Sequence, residues 1–211
     1  MPDHPFRDVL TSEAEIRAIL GTPSDLAVRK QLATLDAHCR TFIARSPFLL
    51  LATSDGEGRC DVSPKGDPAG FVQVLDDTHL VIPDRPGNKR LDGIRNILAN
   101  PHVGLIFLVP GKDETLRING RAYVIRDAEL LDRMAVDGKR PQLAIGVQVE
   151  EVFFHCAKAF RRSGLWQPDR WRDVTDLPGP ARVFFDQTKP TDVTVEQLAA
   201  RLEDGYRNKL Y

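Results

Sequence analysis

The sequence predicts a mainly antiparallel β fold, closed into a barrel, with helices added before and after it. Three observations carry that expectation. The apolar pattern changes from helical spacing to dense or alternating runs at Phe48. Six or so such runs then follow as far as Cys156, most of them separated by short turn signals. Clear helical periodicity returns only in insertions and near Thr194 to Lys209. Hairpin-linked strands in that number favour closure, because an open sheet leaves two unpaired edges.

The chain has 211 residues, of which 42% are hydrophobic and 28% charged, so it can bury a full core and is not disordered overall. Twenty-nine Lys and Arg against thirty Asp and Glu exclude a whole-surface electrostatic mode of binding nucleic acid or membrane. A phosphate must therefore be met by a local cluster. The apolar runs Phe48 to Ala52 and Val103 to Pro110 are too short to span a bilayer, and the polar start from Met1 carries no export signal. Cys39, Cys60 and Cys156 form no CxxC pair. They are expected to be free, buried thiols in a reducing cytoplasm.

Taken in order, Ser12 to Glu15 is a capping box and Gly21 ends the first helix. Thr22-Pro23 restarts the chain, and Val28, Leu32, Leu35, Cys39 and Phe42 fall on one face of a second helix, stopped by Ser46-Pro47. Strands are expected at Phe48 to Thr53, Arg59 to Ser63, Phe71 to Leu75 and His79 to Ile82, with Pro64 interrupting the second. After the breaker-rich Pro83 to Gly87 comes a helix from Asn88 to Asn100. His102 to Val109 is a strand. Arg117-Ile-Asn-Gly-Arg121 reads as a hairpin from its Asn-Gly pair, or as one continuous strand in which Gly120 makes room for a flat ligand. Asp127 to Met134 is helical, Gly146 to Cys156 a strand, and Leu165 to Pro190 has no period. Thr194 and Gln197 cap the last helix.

Several chemistries are missing. There is no GxGxxG, no P-loop pattern, no GxSxG elbow, and no metal-ligand spacing among the histidines. The informative feature is cations at element junctions. Arg85 to Arg90 lies between a strand and a helix start, where free N–H groups and the helix dipole favour a phosphate. Ser63-Pro-Lys-Gly66 sets Lys65 beside a close backbone approach. Lys158, Arg161 and Arg162 share a helical face just past a strand end. Each segment alone is also compatible with a solvated surface.

In this order the stretches resemble the pyridoxamine 5′-phosphate oxidase-like, FMN-binding split-barrel family. They are Pro47-Phe-Leu-Leu-Leu-Ala-Thr53, Asp61-Val-Ser-Pro-Lys-Gly66, Leu80-Val-Ile-Pro-Asp84 and Gly87-Asn-Lys-Arg90. Then come Ile97-Leu-Ala-Asn-Pro-His-Val103, Leu116-Arg-Ile-Asn-Gly-Arg-Ala122 and Phe154-His-Cys-Ala-Lys158. Asp36-Ala-His-Cys39 and Arg161-Arg-Ser-Gly-Leu-Trp166 resemble the FMN-dependent branch that carries an N-terminal helical extension. The resemblance implies a six-stranded antiparallel split barrel over 47–165, a helical extension over 1–46, and a tail and helix over 166–211. It implies a cytoplasmic homodimer with FMN at the subunit interface. It also implies one long strand through Arg117 to Arg121. By position, Val62, Ser63, Pro64 and Lys65 would line the flavin ring, and Ile82 and Pro83 would lie near the ribityl chain. Asn88, Lys89 and Arg90 would hold the phosphate, while Arg117, Lys158 and Arg161 would approach the flavin. The Arg-x-His ending of the true oxidases is absent, so the substrate is a different small molecule. Two other readings stay open: a flavin-binding sensor or carrier without turnover, and the same barrel holding haem, with His155 as ligand, or a deazaflavin.

Overall fold

The computed structural model describes residues 5–211, so the start at Met1 to His4 lies outside the described residues. Short helices α1 (Glu13–Leu20) and α2 (Asp25–Arg29) precede α3 (Ala37–Arg45). The barrel follows with β1 (Phe48–Ser54), β2 (Cys60–Gly66), β3 (Gln73–Val74), β4 (His79–Asp84), α4 (Asp92–Ala99) and β5 (His102–Leu108). It continues through β6 (Thr115–Ile125), α5 (Ala128–Arg133) and β7 (Leu143–His155). After it come α6 (Lys158–Ser163), a 3₁₀ turn at Pro168–Arg170, α7 (Pro180–Thr188) and α8 (Val195–Asn208).

The seven strands form one sheet in the order β2-β1-β5-β6-β7-β4-β3, and every pairing is antiparallel. The extra strand over the expected six is the two-residue β3. No backbone ladder joins β2 to β4; side chains do. Lys65 Nζ lies 2.7 Å from Asp84 Oδ1, and Arg85 Nε lies 2.6 Å from Asp67 Oδ2. These two ion pairs bridge the split of the barrel. The Asp67 side chain is only 1% exposed, so its carboxylate depends on Arg85 and on the Tyr211 hydroxyl, which donates to it at 2.6 Å.

Alternation along the strands sorts one face into the core. Leu49 and Leu51 of β1, Leu105 and Phe107 of β5, and Leu116 and Ile118 of β6 meet Cys39 and Ile43 of α3 and Ile97 of α4. Fully burying side chains of this size contributes about 1.5–3 kcal/mol each. A smaller cluster of Val81, Leu131, Met134 and Ala144 lies beneath α5.

Six local expectations need correction. The face from Val28 to Phe42 does not belong to one helix. Leu32 instead trades backbone hydrogen bonds with Val152 of β7 at 2.9 and 2.8 Å. The Asp36 carboxylate then caps a fresh helix by accepting the Cys39 N–H at 2.8 Å. The cap of α2 is Ser24, not Thr22. Pro64 does not interrupt β2, which keeps an unbroken register against β1; an edge strand can leave that missing N–H unpaired. The Asn-Gly pair makes no hairpin. β6 runs straight through it with a bulge at Asn119/Gly120. A Cβ on Gly120 would sit 2.0 Å from the Gln148 carbonyl oxygen, so the space its hydrogen leaves is filled by β7, not by a ligand. Of the three thiols only Cys39 is buried, and burial pushes its pKa up to about 12; Cys60 and Cys156 are exposed. The aperiodic stretch hides α7, which opens on Gly179-Pro180 and packs against α8.

Among the described residues, no helix is long and apolar enough to cross a membrane. No group of three His, Cys, Asp or Glu among them could hold a metal ion.

Candidate functional site

The loop ahead of α4 departs most from sequence expectation. The helix begins at Asp92, not Asn88, so Asn88, Lys89 and Arg90 stand in the approach to it. The reason is local. The Asn88 side-chain oxygen accepts the Arg90 N–H at 3.0 Å, closing a turn, and Lys89 and Leu91 both take φ near 61°. Left-handed backbone at two non-glycine residues costs about 1–2 kcal/mol each. Leu91 takes the N-cap position and offers no side-chain acceptor. No side chain therefore caps the first N–H groups of α4, which leaves them available to an anion.

The helix is fastened to the sheet behind this loop. Asn96, buried on α4, donates to Thr53 Oγ1 at 3.1 Å and to Asp61 Oδ2 at 2.8 Å. Asn100 donates to Ser54 Oγ at 2.9 Å. A Cβ added to Gly93 would stand 3.9 Å from Ser63 Oγ, so the first turn of α4 lies against Ser63. The structure thus brings Ser63 to the start of α4. Arg90 bonds Asp92 at 2.8 Å, while the Lys89 ammonium has no ion-pair partner among the described residues. Lys65 faces the same side of β2 as Ser63 but is held by Asp84. Ile82 and Pro83 are buried in β4, with Ile82 inside the main core.

Val62 and Pro64 point to the opposite, outer face. Pro64 is in one cross-strand row with Leu50, Ile106, Arg117 and Phe153. Three strand spacings put Arg117 about 14 Å from Pro64 across the sheet. Beside this row an open depression of about 360 Å³ is lined by the small residues Ala52, Gly104 and Gly120 and by Asn119 and Glu150.

The second group of cations is drawn into structure. Arg117 bonds Glu151 at 2.9 Å and stacks 4.1 Å from the Phe153 ring centroid, and its Nε is buried without a partner. Lys30 donates to the Phe154 carbonyl at 2.7 Å. Arg161 bonds Asp113 at 3.1 Å. Lys158 is exposed and makes no ion pair among the described residues. Burial, then the charges of Arg117 and Lys30, hold the His155 pKa below its usual value. The Lys158 N–H, and its charge, pull the Cys156 thiol down. Arg117 lies on the outer face of the sheet, whereas α4 packs on the core face through Ile97.

Sequence reasoning missed Asn96, Asp61 and Thr53. Gly93, Asn96, Ile97 and Asn100 share a helical face, and two carboxamides on the face that also carries Ile97 were the available signal.

A β-rich split barrel with a cation-bearing loop before its inserted helix is the class these features define. The family model described as pyridoxamine 5′-phosphate oxidase matches residues 35–156, over half of the chain, and the chain belongs to that family. No curated protein matches it. Among solved structures it is similar to HupZ from Group A Streptococcus, with 18% identity over 56% of this chain and 92% of that one and a TM-score of 0.46. A candidate pyridoxamine 5′-phosphate oxidase from Lactobacillus delbrueckii shares 25% identity over 59% of this chain and 98% of that one, with a TM-score of 0.45. The heme storage protein HutZ from Vibrio cholerae shares 19% identity over 56% and 93%, with a TM-score of 0.42.

Proposed function

We propose that the protein binds FMN through the loop ahead of α4 and works as an FMN-dependent oxidoreductase on a small substrate. The observation that carries this reading is a helix start that no side chain caps, with the Lys89 ammonium making no ion pair among the described residues and the Ser63 hydroxyl against the first turn. The donor set fits a phosphate monoester, which carries about −1.5 to −2 charge at pH 7. Lys89, the Asn88 amide and the first N–H groups of α4 would supply two or three charge-assisted hydrogen bonds. Arg90 is the weaker donor, because Asp92 already holds it. Bound flavin supplies hydride and electron transfer; the chain supplies orientation and charge.

Arg117 faces the outer side of the sheet with Pro64, whereas Ser63, against the start of α4, faces the inner side, which supports a site completed by a second copy. The outer face offers that copy an apolar surface: Val62 is 62% and Phe48 38% exposed, with Leu50 and Ile106 half-buried beside them. The absorption spectrum of the purified protein and an FMN titration test the reading. Bound flavin, or saturable uptake by a dimer, is the expected result; neither bound nor bindable flavin overturns it. A second reading, haem ligated by His155, draws on one observation: the imidazole is half-buried and held toward its neutral, metal-binding form. A Soret band would favour it.

A further inference from the structure

We propose that Asn96 is a positioning residue that holds the phosphate loop in its accepting shape by gripping Asp61. The proposal rests on the reading that this loop holds the FMN phosphate. Asn96 is 7% exposed, so its amide pays a desolvation cost unless its hydrogen bonds are made. Both hydrogens on Nδ2 are used, one on Thr53 and one on Asp61. Those two acceptors face each other across the β1–β2 ladder, so a single side chain ties the helix to both strands.

The loop is tied to the same helix. Arg90, the middle residue of the strained loop, bonds Asp92 in the first turn of α4. Asn96 therefore holds α4 on β1 and β2, and Asp92 of α4 holds the loop through Arg90. Lys89 and Leu91 keep their left-handed backbone only while the surroundings over-determine it. With Arg90 held by Asp92, Lys89 is left as the cation for an incoming phosphate.

The test uses the full chain. In Asn96→Leu, FMN affinity should fall about tenfold to a hundredfold, the range of a lost hydrogen bond to a charged group. Backbone amides of residues 88–92 should exchange faster, while those of β5 and β6 stay protected. In Asn96→Asp two carboxylates would face each other and could not both be ionised. The charged groups around them are Asp61 on β2 and Arg90 and Asp92 at the start of α4; Thr53 and Ser54 of β1 are uncharged. The deficit of Asn96→Asp relative to the natural chain should be large at pH 8 and shrink toward pH 5.5. Taking the ratio to the natural chain removes the titration of the phosphate itself. Unchanged FMN affinity and unchanged exchange at 88–92 in Asn96→Leu overturn the proposal. If Asn96→Leu does not fold, a pH-independent ratio for Asn96→Asp overturns it. If the natural chain takes up no FMN, the functional reading fails alone, and exchange at 88–92 still decides the role of Asn96.

Discussion

The loop at 88–91 and the seam-and-strand region around Arg85, Arg117 and Arg161 both carry cations, yet they use them differently. In the second region the guanidinium groups are committed to Asp67, Glu151 and Asp113. In the loop the backbone is strained, the helix start lacks a side-chain cap, and Lys89 has no ion-pair partner among the described residues. A folded chain satisfies its charges where they hold it together. An unsatisfied group next to stored strain marks the place where binding can repay the cost.

The sharpest way to break the comparison is at the seam. Arg85→Met should cost about 3–5 kcal/mol of unfolding free energy in denaturant, because it strands the buried Asp67 carboxylate. A loss under 1 kcal/mol would mean the seam is wet and the pair ornamental. Next, Lys89→Ala should weaken FMN binding by about 1.5–3 kcal/mol in a titration while leaving the unfolding curve in place. An unchanged dissociation constant would move the phosphate elsewhere. Third, Tyr211→Phe removes one hydrogen bond to the Asp67 carboxylate and should cost about 1.5–3 kcal/mol, read as a lower melting temperature. Last, Arg117→Met should cost about 1 kcal/mol of stability, as expected of a half-exposed pair, and should raise the His155 pKa by removing a neighbouring charge. An NMR titration of the imidazole reads that shift. The linkage has a definite sign. The folded His155 pKa lies below its unfolded value, so the unfolded chain takes up the proton first. This residue's contribution is present above about pH 6.5 and is lost as pH falls toward the folded pKa. Arg117→Met should flatten that acid loss.

Much of the frame could be read before any coordinates. The strands expected at Phe48 to Thr53 and Gly146 to Cys156 are present as Phe48–Ser54 and Leu143–His155, the second starting three residues earlier. The order of the motifs already pointed to the family. The site was only half visible. Lys89 and Asn88 stood out as charge and amide at a junction, whereas Asn96 and Asp61 lie 35 residues apart and meet only when α4 lands on β2. Lys65 looked free for a ligand because its partner Asp84 lies 19 residues on, across a split that has no sequence signature. The hairpin expected at Asn119-Gly120 failed for the same reason: the strand that crowds Gly120 enters the chain more than twenty residues later.

By itself the sequence determined the capping boxes at Ser12–Glu15 and Thr194–Gln197, the alternating strands and the absence of a whole-surface charge, because each depends on neighbours within a turn or on composition. Only the tertiary structure decided where α4 begins, which cations stay unpaired, and that Gly120 serves a bulge. Those outcomes are set by which distant carboxylate or backbone arrives alongside, and chain folding alone brings it there.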